Sequence, residues 1–255
     1  MFKTLLLSAQ SAVVGMLITV SAAAEPVAWL DVGVKGGAGG NYQNTPDNLP
    51  PIAEFATLPF DDGAGGVGGG GGLFVEGRFL GQHLGLEIGF LADRNKNWCT
   101  ITHNDVVEID YIVRHTSLRI PIMLQGAMVK GITRIGLGVG PEIIVGLAAE
   151  PDLEIVDGDE YVTDADLQSF RDTFSASTRT DVALAWEFAL AFAIKKVSIT
   201  FDFRFAYLLT YPDNYSDRVK FSQVGDVVEA DVQAGHTIDA RLLLGAAYTF
   251  DFGSR

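Results

Sequence analysis

The 255-residue sequence has one cysteine, few basic residues and, after residue 24, no long apolar run. The lone Cys99 excludes an internal disulfide framework and a cysteine-based zinc cluster. There are 18 Lys and Arg against 32 Asp and Glu, for a net charge of −14. This balance argues against a nucleic acid partner, because phosphate binding needs clustered cations. No later run approaches the ~20 apolar residues of a membrane-spanning helix.

The first residues have the pattern of a secretory signal peptide. Lys3 supplies a positive start, residues 5–20 are uncharged and mostly apolar, and three alanines precede Glu25. A permanent N-terminal membrane helix is the alternative, but the stretch is short for a bilayer. We therefore expect a signal peptide over residues 1–24 and one domain over residues 25–255.

The remaining chain alternates with a period of two. In residues 181–194, 197–209 and 237–252, large apolar side chains alternate with Gly, Ala, small polar and isolated charged residues. This period places one set on each face of a β-strand. A soluble periplasmic β-domain would carry bulkier polar side chains on its wet face, whereas small residues fit inside a narrow tube. Together with a signal peptide, the pattern is typical of an outer-membrane barrel.

The predicted fold is all-β, a closed antiparallel up-and-down transmembrane β-barrel of about eight strands. The predicted strands cover residues 27–37, 72–81, 84–92, 108–126, 131–148, 180–194, 197–210 and 236–252. Short periplasmic turns are expected at residues 81–83, 127–130 and 195–196. Long extracellular loops are expected at residues 38–71, 93–107, 150–179 and 211–235.

The interior of such a barrel is just wide enough for side chains to fill it. Buried charges are costly unless they are paired and hydrogen-bonded. We therefore predict a network of paired carboxylates and cations that plugs the lumen. It consists of Asp31, Lys35, Glu76, Arg78, Glu87, Arg119, Glu142, Glu187, Asp202, Arg204, Asp239 and Arg241. A narrow leak through the lumen is the alternative.

The four predicted loops carry nearly all of the net charge, −14 of the −15 that remains after removal of the signal peptide. Simple solvation of exposed loops explains this acidity. A sharper alternative is divalent-cation binding at residues 157–160, bridging to lipopolysaccharide, because carboxylates suit hard cations. Residues 163–174 have the spacing of a short amphipathic helix.

Several other motifs are interpreted as having no binding or catalytic role. The glycine run 63–72 formally contains a dinucleotide-binding spacing, but it precedes a strand rather than a helix, so we interpret it as a flexible loop. Cys99 is expected in a loop, as a bystander thiol. His83, His103 and His236 are expected in turns or at loop edges and have no metal-ligand spacing. We expect no metal site and no cofactor.

One group of residues fits a catalytic hypothesis. His115 and Ser117 are predicted to face inward on the fourth strand, and a turn near residues 128–129 would place Glu142 opposite His115. A nucleophile, a base and an acid on adjacent strands can perform acyl transfer. The arrangement resembles that of lipid A deacylase barrels. The alternative is that these residues belong to the lumen network, and we expect that the protein is not an enzyme.

Three stretches carry a family resemblance: residues 118–124, residues 138–142 and the last strand. The chain resembles the small outer-membrane β-barrels of the opacity-protein-like, porin-family type over residues 25–252. Gly245, Tyr248, Phe250 and Phe252 are similar to the C-terminal signal read by the barrel-assembly machinery. Two departures from that signal are the terminal Arg255 and Leu243.

The resemblance implies an outer-membrane surface protein of a Gram-negative cell envelope, secreted through its signal peptide. Functions in such families include adhesion, envelope integrity and small-solute passage, and the fold cannot choose among them. The leading hypothesis is a non-enzymatic structural or surface-interaction protein that acts through acidic loops. A narrow porin-like channel is second and a lipid A hydrolase is third. The expected partners are outer-membrane lipid, lipopolysaccharide and the barrel-assembly machinery, with divalent cations or surface partners at the loops.

Overall fold

The computed structural model describes residues 28–43, 64–103, 107–157, 178, 180–210, 221–223, 226–228 and 237–252. The signal peptide, most of the cation motif at residues 157–160, the 163–174 helix and His236 lie outside these residues. Within the described chain, no helix is long and apolar enough to cross a membrane.

Ten antiparallel strands make up the described chain. They are β1 (Ala28–Gln43), β2 (Ala64–Phe79), β3 (Leu84–His103), β4 (Val107–Lys130), β5 (Thr133–Asp157), β6 (Thr180–Ile194), β7 (Val197–Leu208), β8 (Phe221–Gln223), β9 (Asp226–Val228) and β10 (Thr237–Phe252). β8 and β9 pair as a separate hairpin. The other eight form one closed barrel, in which each strand pairs with its sequence neighbour and β1 closes the ring against β10. The predicted fold class is confirmed.

The register defines the geometry of the barrel. Following hydrogen-bonded partners from Lys96 once around the ring leads to Leu86 on the same strand, a shear of ten residues. For eight strands this shear gives a strand tilt of about 40° and a height of about 2.5 Å per residue. The lumen is therefore narrow enough to be filled by side chains.

Alternating burial separates an apolar outer wall from a polar interior. On β7, Ile199, Phe201 and Phe203 are exposed, whereas Ser198, Thr200 and Asp202 between them are buried. Each of the eight strands contributes such an outward apolar row, as the period of two predicted. The outer wall is thus an apolar belt, and the buried side chains lie inside the ring.

Several predicted boundaries are wrong, because strands continue well beyond the apolar rows. Residues 64–72 of the glycine run interpreted as a loop form the first half of β2, whose backbone pairs with β1 and β3. Most of the predicted loop 93–107 is strand, and it includes the backbone of Cys99 and His103. Strand β5 continues to Asp157, so residues 150–157 of another predicted loop are strand as well.

Two of the three predicted short turns lie close to their expected positions. Turns lie at residues 80–83 and 195–196, and His83 Nδ1 lies 2.9 Å from the Ala127 carbonyl oxygen. The third turn lies at residues 131–132, because Gly131 takes the left-handed conformation there. Residues 127–130 belong to β4.

Candidate functional site: the charged lumen

All twelve residues of the predicted network have buried side chains and take part in ion pairs inside the barrel. They lie at three heights, which we call the lower, middle and upper tiers, counted from the short turns. Strand alternation aims these side chains inward, and the register brings residues distant in sequence to the same height.

The lower tier contains two separate ion pairs near the short turns. Arg78 donates to Asp31 at 2.5 Å and to Thr249 at 3.4 Å, and it also bonds Gln82. Arg134 makes a bidentate ion pair with the carboxylate of Glu76. Two cations face two carboxylates, so the tier is electrically balanced.

The middle tier contains Lys35, Glu87, Glu187, Asp202 and Arg204. Lys35 Nζ lies 2.6 Å from Glu87 and 2.7 Å from Asp202. Arg204 donates to Glu187 at 2.9 and 2.5 Å and to Glu87 at 3.3 Å. The amide of Gln125 bridges Glu87 and Glu187. Three carboxylates here face two cations.

The upper tier contains Asp93, Arg119, Glu142, Asp239 and Arg241. Arg119 binds Asp93, Glu142 and Asp239 at 3.1, 3.2 and 2.8 Å. Arg241 binds Asp93 at 2.6 Å, Asp239 at 2.7 Å and the side-chain oxygen of Asn95 at 3.0 Å. Three carboxylates again face two cations, so the two higher tiers together hold two more carboxyl groups than cations.

A small cavity separates the upper and middle tiers. Its lining includes Asp93, Arg119, Glu142, Arg204 and Arg241, and its volume of about 10 Å³ is room for about one water molecule. Glu142 Oε2 is buried and has no hydrogen-bond partner among the described residues. An apolar cluster fills another part of the interior; its members are Met123, Ile144, Ala183, Ala185, Ala206 and Leu208.

The polar side chains of these tiers that sequence reasoning missed include Asp93, Asn95, Gln125 and Arg134. Asp93 and Asn95 lie past the predicted end of β3 at residue 92, and Asp93 was counted among the loop charges. Gln125 and Arg134 have the same parity as Arg119 and Glu142 on their own strands. Extending the period of two would have found them.

The structure contradicts the catalytic hypothesis. Glu142 lies opposite Pro121, and its carboxylate binds Arg119. His115 faces Ala149 on β5, six residues along β4 from the position opposite Glu142. The predicted register was wrong by six residues because the turn is farther along the chain than expected. His115, Ser117 and Glu142 therefore form no nucleophile–base–acid group.

The predicted assembly residues all lie on β10. The ring of Tyr248 contacts that of Phe250 edge-on, with 5.0 Å between centroids, and both side chains and Phe252 are exposed on the outer wall. Gly245 faces the lumen beside Thr200 and Lys35. Leu243 is buried in the lumen and lines the cavity.

A closed eight-stranded antiparallel barrel with an apolar outer wall and a charged interior is the architecture of small outer-membrane β-barrels. No protein-family model and no characterised protein sequence matches the chain.

Solved structures similar to the chain include three outer-membrane or surface proteins. OprG of Pseudomonas aeruginosa has 9% identity and a TM-score of 0.41, covering 88% of this chain and 95% of that one. Neisserial surface protein A has 11% identity and a TM-score of 0.34, covering 88% and 99%. Ail of Yersinia pestis has 9% identity and a TM-score of 0.31, covering 89% and 100%. The class of the fold follows from the barrel's own register and wall, and these similarities add no role.

Proposed function

We propose that the chain is an outer-membrane barrel whose lumen is closed by its three tiers of ion pairs, and that it has a non-enzymatic structural or surface role. The observation that supports closure is the set of buried ion pairs at three heights, from Arg78 near the short turns to Arg241 near the opposite rim. Each tier bonds side chains from opposite walls, so an ion would have to displace charge-assisted hydrogen bonds to pass.

The surface role rests on the acidity of the long connections, which the sequence places at the end opposite the short turns. With the short turns in the periplasm, those carboxylates would face the medium. Acidic loops on a closed barrel can bind partners or cations while the barrel serves as a rigid base.

Ion conductance in a planar bilayer tests the closure. The wild-type protein should be silent, whereas Arg204→Ala should give conductance steps because the middle tier then retains three carboxylates and one cation. Lys195→Ala is the matched control, since it removes one positive charge from an exposed turn. Folding of each variant is checked by heat-dependent gel mobility.

Steady channels in the wild type would overturn the plug and support the second candidate, a narrow pore. The excess of two carboxylates in the two higher tiers favours that candidate in one respect, because such a pore would prefer cations. Unchanged heat stability of both Arg204→Ala and Arg241→Ala would also contradict the plug.

A further inference from the structure

The cavity between the middle and upper tiers has an unsatisfied polar atom in its wall. Glu142 is 1% exposed, and its Oε1 accepts a hydrogen bond from Arg119 at 3.2 Å, whereas its Oε2 has no partner among the described residues. Leaving a buried carboxylate oxygen unbonded costs free energy, because the hydration that it has in the unfolded chain is not replaced. Glu142 lines the cavity, so a ligand that donates a hydrogen bond there would satisfy it.

The size of the cavity limits that ligand to a very small one. Its volume of about 10 Å³ corresponds to one sphere of the size of a water molecule. The apolar part of the wall comes from Leu91 and Leu243, and Gly70 adds no side chain. The space therefore holds one water molecule or one ion of similar size.

The charges around the cavity favour a neutral ligand. Three guanidinium groups line it, those of Arg119, Arg204 and Arg241, together with the carboxylates of Asp93 and Glu142. The guanidinium groups oppose the entry of a cation, and the two carboxylates oppose the entry of an anion. A water molecule can donate to a carboxylate and accept from a guanidinium group at the same time, and buried water usually bonds several polar groups of this kind.

Arg204 supplies a donor from the other tier. Its Nε and Nη2 donate to Glu187, and Nη2 also donates to Glu87. A guanidinium group has more N–H donors than these bonds use, so Nη1 can donate to a further acceptor. Each hydrogen bond described above lies within one tier. A ligand that bonds both Glu142 and Arg204 would therefore connect the middle tier with the upper tier.

We propose that the cavity is a binding site for one water molecule, which donates to Glu142 Oε2, accepts from Arg204 and connects the two higher tiers. Water-mediated hydrogen bonds are nearly as favourable in enthalpy as direct ones. The water therefore extends the plug across the gap between the tiers, where the side chains make no direct ion pair. This inference rests on the closed lumen proposed above and adds the ligand that joins two of its parts.

A crystal structure of the refolded full-length protein, at a resolution that shows ordered water, tests the site. We expect one density peak in the cavity, within hydrogen-bond distance of both Glu142 Oε2 and the Arg204 guanidinium group. The variant Glu142→Met removes the acceptor and keeps the length of the side chain, so the peak should disappear. Gln125→Met is the matched control, because Gln125 is buried in the middle tier away from the cavity lining, and this variant should keep the peak. Heat-dependent gel mobility checks that each variant folds.

A wild-type cavity without density, or a peak bonded to Glu142 alone, would overturn the link between the tiers, whether or not the variants fold. A peak that persists in Glu142→Met would overturn the role of its carboxylate. Crystals soaked in thallium(I), an ion close to water in size, test the charge of the ligand, since an anomalous peak in the cavity would identify a cation site and contradict the water. A continuous file of water peaks along the lumen would contradict the closed lumen itself, whereas a silent barrel without density in the cavity contradicts this inference alone.

Discussion

Arg119 binds more carboxylates than the other cation of the upper tier, Arg241, since its guanidinium contacts three of them from three strands. In Arg119→Ala, Glu142 would lose its only ion pair among the described residues, and the tier would keep Arg241 alone as its cation. We expect a loss of about 3–5 kcal/mol in the free energy of unfolding, the usual cost of breaking a buried pair. Arg94→Ala, which removes an exposed 3.8 Å contact, should cost less than about 1 kcal/mol.

Urea unfolding of both variants in lipid vesicles, followed by tryptophan fluorescence, measures this difference. Similar small losses in Arg119→Ala and Arg94→Ala would mean that the lumen pairs are as well solvated as the surface pair, and the closed-lumen proposal would lose its support.

At the scale of residues, parity along the predicted strands selected twelve charged side chains that face the lumen and missed others, including Asp93 and Arg134. The identity of each partner was not predictable, because it depends on which residues share a height in the closed ring. Asp239 and Arg119, for example, are 120 positions apart in the chain and lie 2.8 Å apart in the barrel. Only the complete register contains that information.

Strand β2 shows how a glycine run becomes part of the barrel wall. Its inward glycines let β2 approach the backbone of β3 closely: a Cβ on Gly70 would clash with the carbonyl oxygen of Ala92 and lie 2.8 Å from the Cα of Asp93, whereas one on the outward Gly65 would meet nothing within 4 Å. Gly70→Ala should therefore destabilise the barrel by about 1–3 kcal/mol, the usual cost of overpacking. Gly65→Ala should be neutral or slightly stabilising, because alanine loses less backbone entropy than glycine.

Heat-dependent gel mobility of the two alanine variants compares their stabilities. If Gly65→Ala were as harmful as Gly70→Ala, the glycines would be needed for backbone conformation rather than for the close approach of β2 to β3. Composition alone favoured a loop here, since the apolar rows that mark the other strands are missing from this run.

Strand β10 leads to a prediction about assembly. The side chains of Tyr248 and Phe252 are exposed on the outer wall, so removing them leaves the lumen pairs intact. We expect the double variant Tyr248→Ala with Phe252→Ala to refold in detergent like the wild type but to reach the outer membrane of cells at a several-fold lower level. Leu244→Ala, on the same strand and face, is the control.

Quantification of folded protein in outer-membrane fractions makes this comparison. Equal levels for the double variant and Leu244→Ala would contradict the assembly role, and a failure of the double variant to refold in vitro would show that the aromatics act on stability instead.

At the scale of the whole molecule, eight strands and their order were predictable from alternating apolar rows and alternating joint lengths. The shear of ten residues was not, because it depends on small offsets that accumulate over eight strand pairs. The misplaced turn at residues 131–132 illustrates this sensitivity: it moved the β4–β5 register by six residues and separated Glu142 from His115. Turn position, rather than strand identity, limited the prediction of the site.

The height of the apolar belt leads to a prediction about the membrane that the barrel fits. Outward apolar positions cover residues 84–92 on β3 and 197–209 on β7, and at the tilt given by the shear these rows are about 20 and about 30 Å tall. Refolding into phosphatidylcholine vesicles of graded acyl length should therefore give the highest folded fraction when the hydrocarbon core is about 25 Å thick. The folded fraction should fall in cores of about 35 Å, because a longer core would bury Arg94 and Lys96 in hydrocarbon.

Gel mobility of the folded and unfolded species measures the folded fraction. The variant Arg94→Leu with Lys96→Leu has an apolar belt on β3 that is two outward positions taller, so its optimum should shift toward thicker cores. A folded fraction independent of thickness in both proteins would contradict the placement of the membrane boundary at Arg94.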